Sequence, residues 1–214
     1  MPITTLQNIS VPTDGSGSNT SLLMPKLQYR FRVFLENFGT TGGPDGVREL
    51  SRQVVDVTKP NVSFETITMD IYNSKSYLAG KPAWEPVTLT LREDANNNVQ
   101  KIVGQQLQRQ FDFYEQASAV SGGTYKFQMK IEMLDGGNGA YDAGVIDRFH
   151  LVGCYIESSN YNQLAYSANE QVTTTLSIRY DNAIQFGADD EFNGIGEPVN
   201  RSNQGSPGGS IITS

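Results

Sequence analysis

The run Val62-Ser-Phe-Glu-Thr-Ile-Thr-Met-Asp-Ile71, followed by Asn73-Ser-Lys-Ser-Tyr-Leu-Ala-Gly-Lys-Pro-Ala-Trp-Glu-Pro86, Val87-Thr-Leu-Thr-Leu-Arg92 and Asp94-Ala-Asn-Asn-Asn98, decides the fold. The first piece is rich in β-branched and aromatic residues and reads as a strand. The second carries one Gly, two Pro and the single Trp of the chain, and reads as a long loop. The third alternates apolar and polar residues, as a half-buried strand does. The fourth caps a helix. Val99, Ile102, Val103, Leu107, Phe111 and Tyr114 follow at three- and four-residue steps on one helical face. The spacing predicts a helix over about residues 97–119, and no other segment carries so clear a helical period.

Outward from that stretch the pattern is one of strands. Leu27, Tyr29, Phe31, Val33 and Leu35 alternate with polar neighbours. Leu50 to Thr58 carries Val54, Val55 and Val57, so Gly39 to Gly46 is expected to tip a hairpin. Ser121-Gly-Gly123 reads as a helix stop. Tyr125, Phe127, Met129, Ile131 and Met133 give another one-sided strand. Between Val145 and Ile156 both faces are apolar, with Phe149, Leu151 and Tyr155 opposing Val152, Cys154 and Ile156. Val172, Thr174, Leu176, Ile178 and Tyr180 mark the last expected strand. The expected architecture is mainly β: an antiparallel β-barrel or sandwich with one flanking α-helix. Residues 1–25 read as an extended arm, 26–186 as the β domain, and 187–214 as a Gly/Ser/Asn-rich tail. Within the arm, Ile3, Leu6, Ile9 and Val11 give it apolar groups to bury on a neighbouring subunit.

Composition narrows the function. The chain has 214 residues and a net charge of −7. That balance is the opposite of what gripping nucleic-acid phosphates requires. One cysteine, Cys154, excludes an intramolecular disulfide and suits a reducing folding compartment. The N-terminus has neither a basic nor an apolar signal region. No apolar run approaches the ~20 residues of a membrane helix, so no membrane partner is expected.

Chemistry-bearing patterns are scarce. The single histidine, His150, lies four residues from Cys154. At about 3.3 Å per strand residue their Cα atoms sit ~13 Å apart, too far for a nucleophile and its base. Gly80-Lys81 resembles a phosphate loop, but Lys75 stands where Gly is needed and Pro82 where Ser or Thr is needed. Asp135-Gly-Gly-Asn-Gly139 with Asp142, and Asp189-Asp-Glu191, lack EF-hand spacing and read as turn and tail chemistry. No cofactor, metal site or catalytic set is expected, and the chain is read as a non-enzyme. Arg30 with Arg32, and Lys126 with Lys130, share strand faces and read as solvated or subunit-facing. Tyr155, Tyr161 and Tyr166 leave a carbohydrate-binding β-sandwich as the alternative reading.

Lys59-Pro-Asn-Val-Ser-Phe-Glu65, Asn73 through Tyr77-Leu-Ala-Gly80, Trp84-Glu-Pro-Val-Thr-Leu-Thr90, Glu93-Asp94, Phe149-His-Leu-Val-Gly-Cys-Tyr155 and Thr175-Leu-Ser-Ile-Arg-Tyr-Asp181 resemble tail tube proteins of contractile-tailed bacteriophages. The resemblance spans about residues 26–186. It implies a structural subunit whose copies form stacked, hexameric rings around a channel, as in type VI secretion and pyocin tubes. The partners so implied are the chain itself, the tail sheath, tape-measure, baseplate and tail-terminator proteins, and double-stranded DNA passing without specific binding. The implied location is the virion tail, assembled in the host cytoplasm. Apart from the resemblance, aromatic residues on a protruding loop make Tyr77, Leu78 and Trp84 the expected inter-subunit contacts.

Overall fold

The computed structural model describes residues 25–39, 50–119, 121–135, 143–188 and 194–196. Most of the expected arm and tail, the tip of the 39–46 loop, the Asp135–Asp142 run beyond Asp135, and the Asp189–Glu191 run lie outside them. The strands are β1 (Phe31–Glu36), β2 (Val54–Val57), β3 (Val62–Ile71), β4 (Ser74–Trp84), β5 (Val87–Arg92), β6 (Phe111–Asp112), β7 (Ala117–Ser118), β8 (Phe127–Leu134), β9 (Val145–Asn160), β10 (Thr173–Arg179) and β11 (Asn182–Gly187). The helices are α1 (Asn98–Gln110) and the four-residue α2 (Gly122–Tyr125).

A seven-stranded antiparallel path runs β1-β8-β9-β10-β5-β2, with β11 joining on β9. The sixteen-residue β9 belongs to two sheets at once. Its first part pairs with β8 and β11, and its second part with β10. The path folds over itself as a sandwich. Val33, Leu35, Leu89, Leu91, Met129, Ile131, Leu151, Leu176 and Ile178 fill the interior and are almost wholly buried. The mainly β architecture is as expected, with a sandwich rather than a closed barrel among the described residues.

β9 bends between its two sheets at Gly153. Here φ is +72°, a conformation glycine adopts without penalty. The ladder loses one residue of register, since Phe127 faces Cys154 while Met129 faces Leu151. This bulge explains a correction to the sequence reading. Leu151 and Cys154, assigned opposite faces by simple alternation, are both fully buried. A β-carbon at position 153 would overlap the Asp181 carboxylate, which pairs with Lys126 at 2.6 Å.

Other corrections follow from pairing. β1 pairs with β8 and β2 with β5, so the expected β1–β2 hairpin does not form. β10 is not the last strand, because the chain turns at Tyr180–Asp181 and continues as β11 along the same side of β9. Ser121 starts α2 instead of stopping a helix, its side chain accepting from the Gly123 N–H.

α1 lies where expected but is shorter. Asp94 Oδ1 accepts from the Asn98 N–H at 2.9 Å, capping the first turn as the sequence implied. Val99 and Val103 are buried. The helix ends at Gln110 because the Asp112 carboxylate accepts from the Tyr114 and Glu115 N–H groups and from Gln108. Those backbone bonds hold the carboxyl below its usual pKa. They wind residues 111–118 into the small β6–β7 hairpin, and Phe111 and Tyr114 end up exposed instead of continuing the buried helical face. Two glutamines do work the sequence did not announce. Gln106 Oε1 accepts from the Gly39 N–H and its Nε2 donates to Tyr125 O. Gln110 forms two 2.9 Å bonds with Ile156, accepting from its N–H and donating to its carbonyl, where β9 runs past the end of β8.

Replacing Gly153 by Ala is expected to cost about 1–3 kcal/mol from the backbone conformation alone, and more from the overlap with Asp181. Adding Asp181→Gly to that variant is expected to restore part of the loss. Urea unfolding midpoints check both; a Gly153→Ala protein as stable as the parent contradicts the account of the bulge.

Candidate inter-subunit surface

The segment read as a loop, Asn73–Pro86, is for the most part strand β4. With β3 it makes a long hairpin that forms its own two-stranded sheet. The turn is two residues, Tyr72–Asn73, with Tyr72 at φ +45°. Gly80 and Lys81 lie in a bulge against Glu65, where a β-carbon on residue 80 would sit 2.8 Å from the Glu65 carbonyl oxygen. Pro82 faces Phe64 just beyond it. A two-stranded ribbon always has free edges, so the Gly and Pro that look like loop chemistry are tolerated here.

The hairpin has an unusual surface. Ile67, Met69 and Ile71 alternate onto one face of β3, and Leu78 sits opposite Ile67 on β4. Ile67 is 50% exposed and Ile71 54%. Tyr77, on the opposite face beside Thr68, is 66% exposed, and Tyr72 stands free at the tip. An isolated two-stranded hairpin is marginal in water. Contiguous exposed apolar side chains of this kind are a candidate contact surface.

Of the three residues singled out in the sequence, the structure separates one from the others. Tyr77 and Leu78 project from the outer half of the hairpin. Trp84 sits at its base, opposite Val62, packed on the core with its ring 5.6 Å from that of Tyr180. It anchors the hairpin to the sandwich. The sequence did not single out Ile67, Met69 and Ile71, although their alternation was the available signal.

The two sheets present different outer faces. On β1, β8 and β9, Glu132 is buried between Arg32 at 2.5 Å and Arg148 at 2.7 Å, and Lys130 pairs with Glu36 at 2.6 Å. Of the cations read as solvated or subunit-facing, Arg32, Lys126 and Lys130 are thus paired with carboxylates on other strands or turns, while Arg30 donates to the Asp135 carbonyl. On β5 and β10 the outer face carries the cross-strand pairs Thr90–Thr175 and Thr88–Ser177, with Arg179 paired to Glu157 at 3.0 Å.

The single cysteine and the single histidine both lie in β9. Cys154 is fully buried, and burial pushes its thiol up to about 12. A neutral thiol of this kind is no nucleophile. His150 meets Gln128 Oε1 at 3.1 Å, and burial, then Lys130, hold its pKa below the usual histidine value. Among the described residues no group of three metal-ligating side chains occurs, and no helix is long and apolar enough to cross a membrane. Of the tyrosines considered for sugar stacking, Tyr155 lines one cavity and Tyr166 another, and Tyr161 and Tyr166 are exposed.

No family model and no curated protein matches the chain. Solved structures do match. A chain of the anti-feeding prophage cap, which terminates that particle's tube, aligns with a TM-score of 0.57 at 13% identity, covering 81% of this chain and 98% of its own. A chain of the anti-feeding prophage baseplate aligns at 0.56 and 13% identity, over 78% and 99% of the two chains. A chain of the extended sheath–tube complex of the extracellular contractile injection system PVC aligns at 0.53 and 13% identity, over 76% and 92%. This chain therefore has the fold of components of contractile injection particles.

Tyr77→Ala is expected to change subunit stability by less than about 0.5 kcal/mol, whereas Trp84→Ala costs about 2–4 kcal/mol. Denaturant unfolding of dilute protein separates the two, and equal losses contradict the division between tip and anchor. Cys154 makes a second expectation. Its proton is held in the folded state to about 12 and released near 9.0, the thiol's ordinary value, when unfolded. Stability therefore falls as pH rises above that ordinary value, by up to about 1.4 kcal/mol per unit from this group. Cys154→Ala is expected to flatten the decline between roughly pH 9 and pH 11; an unchanged slope contradicts it.

Proposed function

We propose that this chain is a structural, non-enzymatic tail-tube subunit whose copies assemble into stacked rings around a channel. The observation that carries the reading is the β3–β4 hairpin, whose apolar stripe Ile67, Met69, Ile71 and Leu78 is left exposed by the described residues. A second copy is the natural cover, since rings of identical chains are built by head-to-tail contacts between unlike patches. The outer edges of β1 and β2 also lack strand partners among the described residues, and pairing them across copies removes an aggregation hazard. Likeness in fold to components of a tube cap, a baseplate and a sheath–tube complex supports the same reading.

In this reading the rings are hexameric. Tyr77 and Leu78 contact a neighbouring subunit, while Trp84 contributes chiefly by fixing the hairpin and meets a neighbour only through the part the core leaves open. The tube sits in a virion tail assembled in the host cytoplasm. It is enclosed by a sheath protein, joined to baseplate and terminator proteins, filled by a tape-measure protein during assembly, and then passes the genome. The net charge of −7 suits a conduit that does not hold DNA. The Thr/Ser face of β5 and β10 would make a wall with few cationic anchors.

Electron microscopy of the concentrated protein tests this. Rings or tubes are expected from the parent chain. The variant Ile67→Asp/Leu78→Asp is expected to stay monomeric at least about tenfold above the parent's assembly concentration, with its melting temperature within about 3 °C. A parent chain that stays monomeric at every concentration, or a variant that assembles as readily as the parent, contradicts the proposal.

A further inference from the structure

The first part of β9 carries a sheet in the order β1-β8-β9-β11, antiparallel at every step. Its edge strands, β1 and β11, are each six residues long. Three antiparallel steps leave them running in opposite directions. The β1 edge of one copy can therefore lie beside the β11 edge of the next and continue the same ladder. That contact is head-to-tail, the kind that closes a ring. The two edges are not in the same state. On β1 no strand covers the outer edge among the described residues. On β11 two outward donors are already spent. The Gln185 N–H donates to Ile195 O at 2.7 Å, in the turn Gly194-Ile195-Gly196. The Ala183 N–H, two residues earlier and so on the same edge, donates to Asn182 Oδ1 at 2.9 Å. The turn fits closely. Gly194 and Gly196 hold φ values of +92° and +99°. A β-carbon on residue 196 would meet Ile184 Cγ2 at 2.5 Å. Neither acceptor belongs to a strand. One is a side-chain oxygen and the other a single carbonyl, and Ile195 is 37% exposed.

We propose that the Gly194–Gly196 turn is a latch, which occupies the β11 edge in the free subunit and gives way to the β1 edge of a second copy. The inference rests on the reading that copies assemble through their sheet edges. It adds that one of those edges is shut until a matching strand arrives. A subunit with both edges of one sheet open invites uncontrolled pairing. A latched edge admits only a strand that supplies more hydrogen bonds than the turn gives up. The six residues of β1 offer a ladder in place of one carbonyl. Asn182 yields by rotating its side chain, so the cover can leave without unfolding β11. Until it leaves, the edge binds more weakly in proportion to the time it spends closed.

Two variants of the full chain test the latch in opposite directions. Gly196→Val sets a side chain against Ile184 and dislodges the turn. Amide exchange at Gln185 in dilute protein is expected to speed up. The concentration at which the protein assembles is expected to fall about tenfold, the factor for an edge closed roughly nine-tenths of the time. Ile184→Cys/Gly196→Cys fastens the turn instead. A β-carbon on residue 196 would stand 3.3 Å from that of residue 184, close to disulfide range. Cys154 is buried and its thiol neutral, so it stays silent. The oxidised variant is expected to stay unassembled, and to assemble once a reductant is added. Unchanged exchange at Gln185 in Gly196→Val overturns the cover itself. Faster exchange with an unchanged or raised assembly concentration overturns the latch, as does an oxidised double variant that assembles as readily as the reduced one. Each of these results leaves assembly standing. A parent chain that stays monomeric at every concentration removes the assembly reading and the latch with it.

Discussion

Both sheets share β9, and that sharing rests on one glycine. Gly153 carries the backbone into a positive φ that lets Leu151 and Cys154 enter the same core from either side of a bulge. Without that bulge, strict alternation would send one of them to solvent. Because it is there, β8 and β11 flank the first part of the strand while β10 takes the second. Everything that positions the hairpin follows. β10 holds β5, β5 holds β2, and the β3–β4 hairpin springs from the connection between them.

The hairpin then inverts the usual arrangement of a soluble protein. The sandwich buries its leucines and valines, yet the most protruding element shows Ile67, Met69, Ile71 and Leu78 to water. Stability of the single chain gives no reason for this. The packing of Trp84 on Tyr180 shows where the fold spends its aromatic contacts when a contact serves the subunit itself. Among the described residues the outer hairpin side chains have no such contact, and their role is sought between chains. The sheet edges tell a similar story. Gln110 covers one stretch of β9 by bonding both backbone groups of Ile156, a side chain standing in for the strand that β8 no longer provides.

Much of this was legible in the sequence where one period dominates. The buried faces of β5, β8 and β10 follow from alternation, and the start of α1 follows from Asp94 and the Val99–Val103 spacing. The misreadings have local causes. Phe111 and Tyr114 continue a helical spacing that the Asp112 carboxylate interrupts by capturing backbone N–H groups. Gly80 and Pro82 suggest a loop, but a ribbon with free edges accepts a bulge and a missing donor. Gly153 hides because a bulge leaves regular alternation on each side of itself. The candidate surface was half legible. Tyr77 and Leu78 were singled out through their place between two strands, while the stripe on β3 requires knowing that it stays exposed among the described residues.

Amide hydrogen exchange of β3 and β4, measured on dilute subunits and again on assembled protein, tests the central claim most directly. The account predicts fast exchange along Ile67–Leu78 in the single subunit, against slow exchange in β8 and β9, and strong protection of the hairpin once copies associate. A hairpin already protected in the dilute subunit, or one whose exchange is unchanged by assembly, contradicts it.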